Sequence, residues 1–515
     1  MSQPHAGQLL AQALSERADQ VVVRPSSGEP ITGADLASRI SRFVQVLAEH
    51  QVSTGSPLGL LSGNHSDVLT LIGAGQTQGY RRTALHPLGS VADHAFVLAD
   101  AGISTLIVDP AYADMAARLI TEVDCLTQVF TLGPAAIGTD LVALADSAPE
   151  EPLSVADLAE DHVLSVTYTG GTTGRPKGVV GTVSSLSAMA RVMLAEWEFP
   201  QRPRFLMCTP LSHAGAAFFT PVVRLGGELV VTPRFDPGEV LRLIEAEQIN
   251  ATMLVPSMIY ALLDHPDLAD RDLGSLETVF YGAAPINPVR LQQALAVIGP
   301  VFAQYYGQSE CPMVVSYLSK AAHIPGRLGS CGRPSPSLRT SLRDSEGHPV
   351  ETGRPGEIWV AGDVVADGYW NRPEETEAAF GHDGWLRTGD VARSDEEGYW
   401  TIVDRVKDMI VTGGFNVFSR EVEDALAAHC AIAQVGVVGV PDERWGEAVT
   451  AVVVLRAGFD LDESLQRDLK EVVRVAKGPV HVPKRIVAVQ ALPLTGLGKV
   501  DKVALRTAML TDQIP

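Results

Sequence analysis

Through the first 300 residues, short apolar runs alternate with longer amphipathic stretches. "SPLGLLSG" (56–63) precedes "HSDVLTLIGAGQ", "STLIVD" (104–109) precedes "AYADMAARLITEV", and "GELVVT" (227–232) precedes "PGEVLRLIEAEQ". "ATMLVP" (251–256) leads into "SMIYALLDH", and "LETVFYG" (276–282) into "INPVRLQQALAVI". Strand-length apolar runs, each followed by a helix-length pattern, predict an α/β fold with largely parallel sheets.

From about residue 340 the texture changes. "GEIWVAG", "GYWTIVD" and "RVKDMIVTGG" read as short strands separated by turns, a small β-barrel-like part with no long helix between them. A compact α+β segment follows residue 404. In it "SREVEDALAAH" predicts a helix with Ser419 as N-cap and Glu421 and Glu423 in its first turns. "IAQVGVVGV" and "AVTAVVVL" predict strands, and "DESLQRDLKEVVRVA" a second helix. The expected division is a large N-terminal domain over 1–404 and a small α+β C-terminal domain over 405–515. No solenoid repeat and no low-complexity tract interrupts this order.

Composition narrows the function classes. With 46% hydrophobic and 20% charged residues, the chain has the balance of a folded enzyme, not of a disordered segment. A net charge of -21 argues against a nucleic-acid partner, which would need a basic footprint. The start, "MSQPHAGQLL", lacks the pattern of a signal peptide, and no apolar window is long enough for a membrane span. The five cysteines are scattered, without CxxC or zinc spacing, so most of them read as small buried hydrophobes in a reducing, cytoplasmic setting. A monomer or homodimer without integral membrane association is expected.

The densest chemistry is "YTGGTTGRPKGV" (168–179). Glycines let backbone N–H groups approach an anion, threonines add hydroxyl donors, and Arg175 and Lys177 add charge. The loop is not the ATPase pattern GxxxxGK[ST]. With Lys177 as its lysine, Pro176 stands at the second glycine and Gly178 at the hydroxyl position. From glycines alone, a flexible surface turn is as good a reading.

Further segments decide between the two. "PLSH" (210–213), "YGAAP" (281–285), "YYGQSE" (305–310), "GEIWVAG" with "GYWNRPEET" (356–376), "GWLRTGD" (384–390), "VDRVKDMIVTGGFNVFSREVE" (403–423) and "PLTGLGKVDK" (493–502) follow in order. Together with the loop, they make the chain resemble the adenylate-forming superfamily along almost its whole length. That group holds acyl- and aryl-CoA synthetases, peptide-synthetase adenylation domains and beetle luciferases. The resemblance implies two half-reactions. A carboxylate attacks the α-phosphate of ATP, giving an acyl-adenylate and pyrophosphate; a thiol, usually that of CoA, then displaces AMP.

The resemblance also implies residue roles. Thr169, Gly170, Gly171, Thr172, Thr173, Gly174 and Lys177 would cradle phosphate. Glu310 would hold Mg²⁺ as a single carboxylate beside the phosphates. Gly282, Ala283, Ala284 and Pro285 would wall the adenine, with Tyr305, Tyr306, Gly307, Gln308 and Ser309 completing the nucleotide site. Asp390 would take the ribose hydroxyls, assisted by Arg405. Lys499 would bridge carboxylate and α-phosphate during adenylation. Lys407 would be the hinge, near 405–408, on which the mobile C-terminal domain turns between half-reactions. Gly413, Gly414 and Phe415 would then border the CoA tunnel.

His213 falls where many acyl-CoA synthetases carry a histidine that contacts or gates the acyl site; the alternative is a core histidine satisfied by backbone. No aspartate stands near it to pair a substrate ammonium, which disfavours an amino acid. Acyl walls are expected from His213, Ala214, Gly215, Phe218, Pro256, Met258, Tyr281, Gly282, Cys311, Pro312 and Met313. Their apolar character, with no cation for a second acid group, predicts an apolar monocarboxylic acid. Fatty, aryl, steroid side-chain and polycyclic acids all fit. The leading reading is an acid–CoA ligase using ATP, Mg²⁺ and CoA. An acyl-AMP ligase loading a carrier protein in trans is second. A non-catalytic nucleotide-binding homologue is disfavoured because Lys499, Glu310 and Asp390 are all present. Luciferase activity is a remote fourth.

Overall fold

The computed structural model describes residues 3–169, 176–381, 383–413, 415–494 and 500–511. By compactness the chain forms two units. The first comprises residues 1–169, 177–339 and 360–386, and the second 170–176, 340–359 and 387–515.

The first unit is built on two large sheets. In the nine-stranded sheet, Phe302–Tyr306, Thr278–Tyr281, Ala251–Leu254, Arg204–Met207, Glu228–Val231 and Val21–Pro25 run parallel side by side. Each of the four-residue strands among them except Arg204–Met207 and Glu228–Val231 is buried at every position. That is the reason they read as continuous apolar runs rather than alternating ones. The helices follow where the periodicity placed them. Pro237–Ala246 starts behind the Asp236 cap, and Pro288–Val297 behind Asn287, each with proline at its first turn. Their apolar faces meet the sheet around Leu241, Ile244 and Leu291.

The seven-stranded sheet orders Thr139–Asp140, Gln128–Thr131, Thr105–Val108, Pro57–Leu61, Arg81–Leu85, Val163–Thr169 and Lys177–Thr182. All its pairs are parallel except the last. Val163–Thr169 and Lys177–Thr182 form an antiparallel hairpin whose final register pairs Thr169 with Lys177.

In the second unit, the small β part expected as barrel-like is a four-stranded sheet in chain order, from Arg339–Arg343 to Trp400–Arg405. A five-stranded sheet centred on Gly446–Leu455 carries the helices Ser419–Ala427, Glu463–Lys477 and Lys502–Leu510. Its core packs Ile410, Val422, Leu426, Val449 and Leu469. One local expectation fails here. Ser419 is not the N-cap: Phe418 occupies that position, without a side-chain cap bond, and Ser419 is the first helical residue. Its buried hydroxyl instead accepts from Lys502 Nζ at 2.6 Å. A tertiary partner has claimed the oxygen that a cap would have used.

Candidate active site

Parallel strands leave their following loops together at the carboxyl edge of the sheet, where open α/β folds bind ligands. Thr278–Tyr281 and Phe302–Tyr306 are adjacent and parallel, with Tyr281 opposite Gln304. The segments 282–285 and 307–310 therefore leave the sheet side by side. Gly282 is required there, since a β-carbon would collide with the backbone oxygen and ring of Tyr305. Ala283 takes a left-handed φ of 62°, a conformation that costs a non-glycine residue about 1 kcal/mol. Ala283 and Pro285 are exposed and Ala284 half-buried. Gly307 admits the loop that folds back over it, where a β-carbon would collide with Met313 N. Gln308 N donates to Cys311 O at 3.1 Å, closing that loop.

Tyr305 and Tyr306 divide. Tyr306, Gln308, Ser309 and Glu310 are half-buried. Tyr305 is buried and stacks on Trp197 at 5.2 Å, within an aromatic cluster that includes Phe218 and Phe280. Its ring backs Gly282 from inside the sheet.

The hairpin of Val163–Thr169 and Lys177–Thr182 flanks the glycine- and threonine-rich loop. Gly170, Gly171, Thr172, Thr173, Gly174 and Arg175 lie outside the described residues. Both shoulders of the loop are anchored. Tyr168 donates its hydroxyl to Asp100 at 2.6 Å, and Arg372 reaches the other oxygen of the same carboxylate at 2.9 Å. Burial first, then Asp100, raises the Tyr168 pKa, so the phenol stays protonated and donates. On the other shoulder, Lys177 Nζ lies 5.0 Å from the centroid of the Tyr369 ring. The Tyr369 hydroxyl donates to Glu310 Oε1 at 2.8 Å. Burial, then the Glu310 charge, raises this phenol too. A carboxylate has about four lone-pair sites, so Glu310 can accept this bond and still meet Mg²⁺ or its water. Among the described residues no group of three or more His, Cys, Asp or Glu could hold a metal.

His213 precedes the 3₁₀ turn Ala214–Phe218. Gly215 fits because a β-carbon would press on Thr209 O at 2.9 Å. His213 Nδ1 lies 2.9 Å from Ser212 Oγ, and its ring meets His86 edge-on at 5.0 Å between centroids. The imidazole keeps an exposed edge, yet protein crowds it from the other sides. That desolvation, then repulsion from His86, lowers its pKa to about 4. His213 is therefore neutral near pH 7.

The other acyl candidates are scattered in their surroundings. Phe218 and Cys311 are fully buried, Met313 is buried at a φ of 65°, and Pro312 is half-buried. Tyr281 has no exposed surface; its hydroxyl meets Gln304 Oε1 at 3.2 Å and His323 Nε2 at 2.9 Å inside the helix-covered core. Pro256 opens a helix, and Met258 packs against the edge of that same core.

In the second unit, the register of Leu386–Ser394 with Trp400–Arg405 sets Asp390 opposite Arg405, and the two pair at 2.9 Å. Gly389, at a φ of 70°, donates its N–H to Glu357 Oε1 at 2.9 Å, and Asp390 N donates to Thr388 Oγ1 at 3.1 Å. Lys407 lies in the exposed turn Val406–Asp408. Gly413 has a φ of 59° and lies against the Trp445 ring, while Phe415 is 60% exposed. Gly414 and Lys499 lie outside the described residues. The sequence reading gave no roles to Asp100, His86, Tyr369 or Trp445. Tyr369 lies inside "GYWNRPEET" and Trp445 inside "PDERWGEAV", a segment similar to those of CoA ligases.

The family model for AMP-binding enzymes matches residues 10–370, and that for the AMP-binding enzyme C-terminal domain matches 421–499. The chain is 57% identical to a medium/long-chain-fatty-acid–CoA ligase of Mycobacterium tuberculosis, over 98% of this chain and 90% of that protein. It is 36% identical to a feruloyl-CoA synthase of an Amycolatopsis species, over 93% of this chain and 94% of that protein. Among solved structures, the amide bond synthetase McbA of Marinactinospora thermotolerans superimposes with a TM-score of 0.88. It is 34% identical, and the match covers 98% of this chain and 99% of that one. No helix among the described residues is long and apolar enough to cross a membrane.

Proposed function

Because the chain belongs to the AMP-binding enzymes, we propose that it is an acid–CoA ligase acting on an apolar monocarboxylic acid of medium or long chain. In the first half-reaction a carboxylate oxygen of the acid attacks the α-phosphorus of ATP. The new O–P bond gives acyl-AMP, and pyrophosphate leaves. In the second, the CoA sulfur attacks the acyl carbon, the thiol loses its proton, and AMP leaves. The observation that carries this reading is the joining of Lys177 and Glu310 through Tyr369. The proposed phosphate-binding cation, on a strand of the seven-stranded sheet, meets the ring, and the proposed metal-binding carboxylate, in the loop after a strand of the nine-stranded sheet, accepts from the hydroxyl of the same tyrosine.

In this reading Thr169, residues 170–174 and Lys177 would hold the β- and γ-phosphates, and Glu310 would hold Mg²⁺, which would supply charge neutralisation there. The base lies along 282–285 beside Tyr306, and Asp390 with Arg405 takes the ribose. Lys499 supplies the cation of the first half-reaction, and residues from Arg405 onward form the mobile domain, with Lys407 at its hinge. Neutral His213 borders the acyl site: an uncharged imidazole repels neither an apolar chain nor an aryl ring. The acid class is supported by the 57% identical fatty-acid–CoA ligase.

The test is product mass spectrometry with ATP, Mg²⁺ and a panel of fatty and aryl acids, with and without CoA. Acyl-CoA formed only with CoA, strongest from medium or long chains, supports the proposal. Acyl-AMP that persists despite CoA directs the acyl group to a carrier protein or an amine instead. Lys499→Ala should abolish acyl-AMP formation yet convert supplied acyl-AMP to acyl-CoA; equal loss in both halves rejects its role.

A further inference from the structure

The segment 366–370 carries Tyr369, the ring that joins Lys177 and Glu310. It is a strap between the two large sheets of the first unit. On one side, Val180 N donates to Gly368 O at 3.0 Å and Trp370 N donates to Gly178 O at 2.7 Å. These bonds attach it to the strand that leaves the phosphate loop, in the seven-stranded sheet. On the other side, Ala366 N donates to Glu310 O at 2.8 Å, beyond the end of a strand of the nine-stranded sheet. The strap itself is clamped. Gly368 has a φ of 132°, and Thr376 fills the space a side chain there would need. Tyr369 N donates to Thr376 Oγ1 at 2.9 Å, and the Phe380 ring meets the Tyr369 ring edge-on at 5.6 Å. The tyrosine ring is therefore fixed in place before any ligand arrives.

We propose that Tyr369 is a positioning residue that registers the metal-binding carboxylate of Glu310 against the phosphate-loop cation Lys177. The inference rests on the roles given to Glu310 and Lys177 above. A glutamate in a loop rotates freely about its last torsion, and each orientation offers different lone pairs. The phenol hydroxyl at 2.8 Å occupies one of them and fixes the plane of the others. The ring face meanwhile attracts the Lys177 ammonium without neutralising it. Groups that orient a metal ligand set its affinity by about 10- to 100-fold.

The two functions of the side chain can be separated. Tyr369→Phe keeps the ring and removes the hydroxyl; Tyr369→Leu removes both. ATP binding is followed by calorimetry across a Mg²⁺ titration, without acid so that nothing turns over, and pyrophosphate release is followed separately with the acid present. Tyr369→Phe should raise the Mg²⁺ midpoint about tenfold. Its melting temperature and its ATP affinity at saturating Mg²⁺ should stay as in the unaltered protein. Tyr369→Leu should in addition weaken ATP several-fold at saturating Mg²⁺, about what loss of a cation–π contact predicts. An unchanged midpoint in Tyr369→Phe overturns the inference, and so does a general loss of melting temperature with no selective Mg²⁺ effect. Glu310→Gln separates the two levels. If it shifts the midpoint and Tyr369→Phe does not, only the positioning role fails. If neither shifts it, the metal role of Glu310 fails as well.

Discussion

Lys502, in the second unit, and Lys177, in the first, meet opposite surroundings. Lys502 Nζ donates to Glu423 Oε1 at 2.9 Å and to Ser419 Oγ at 2.6 Å, with Asp404 close by. Burial alone would lower its pKa, but Glu423 and then Asp404 more than offset this and raise it. That charge is neutralised by the fold and has nothing left to offer a ligand. Lys177 is held by an aromatic face, and among the described residues it forms no ion pair. Its charge stays available to a phosphate. One kind of group thus serves cohesion or chemistry according to what faces it. Fixed carboxylates consume a cation; a quadrupole aims it.

The same substitution at both lysines is the sharpest way to break this contrast. Lys502→Met leaves Glu423 without its cation in a largely buried place, and should cost roughly 3 kcal/mol of unfolding free energy. Urea unfolding of the purified protein measures it. Lys177→Met should stay within about 1 kcal/mol of the original stability, since a single cation–π contact at a half-buried site contributes about that much. Its pyrophosphate release should fall about 100-fold, the order seen when one preorganised charge-stabilising donor is removed. If both variants lost stability alike, the contrast would be wrong.

Asp390 lies between the two cases, and its neutral variant sharpens the comparison. Its side chain is buried and pairs at 2.9 Å with Arg405, which is about half exposed. Solvent screens the arginine, so Asp390→Asn should cost only about 1 kcal/mol of stability. As the proposed ribose ligand it should raise KM for ATP about tenfold, because a carboxylate accepting two hydroxyls is replaced by an amide that accepts fewer. A larger loss of stability with no change in KM would place Asp390 with Lys502, as a structural charge.

The legible parts of this molecule are those where one segment carries its own reason. "ATMLVP" and "LETVFYG" are strands because every residue of Ala251–Leu254 and Thr278–Tyr281 is buried, and continuous apolar runs say so. Lys177, Glu310 and Asp390 could be singled out because each lies in a short motif. What escaped depends on partners distant in the chain. Tyr369 reaches Glu310 across 59 positions. Ser419 looked like a cap, and its hydroxyl serves a lysine 83 positions away. Tyr281 stood in the right motif, but strand alternation turns its side chain into the core while its neighbour Phe280 faces the aromatic cluster.

Glu421 tests the cohesive side of the comparison through pH. Burial would raise its carboxyl, but a hydrogen bond from His481, then Lys477 and Arg393, hold it below its ordinary value. A carboxylate depressed by folding adds stability above its unfolded pKa and loses it as pH falls through the folded one. Glu421→Gln should therefore lower stability by about 1 kcal/mol at neutral pH and converge on the unaltered protein in strong acid. Parallel unfolding curves at pH 7 and pH 3 decide this.

His213 gives the smallest effect and the most local one. Its pKa of about 4 has two causes, crowding by protein and the charge of His86 when that ring is protonated. A histidine depressed on folding makes stability rise with pH between its folded value and the unfolded value near 6.5, because the unfolded chain binds the extra proton there. His86→Ala removes the repulsion and opens one face of His213 to water, so both causes weaken together. The His213 resonance, followed by NMR in protein labelled at histidine, should then titrate closer to 6.5 than to 4. The acid limb of the stability curve should flatten in the same window. Unchanged titration would mean that the rest of the cleft alone desolvates the imidazole. His213 would then be a fixed neutral wall for the proposed acyl site, independent of its neighbour.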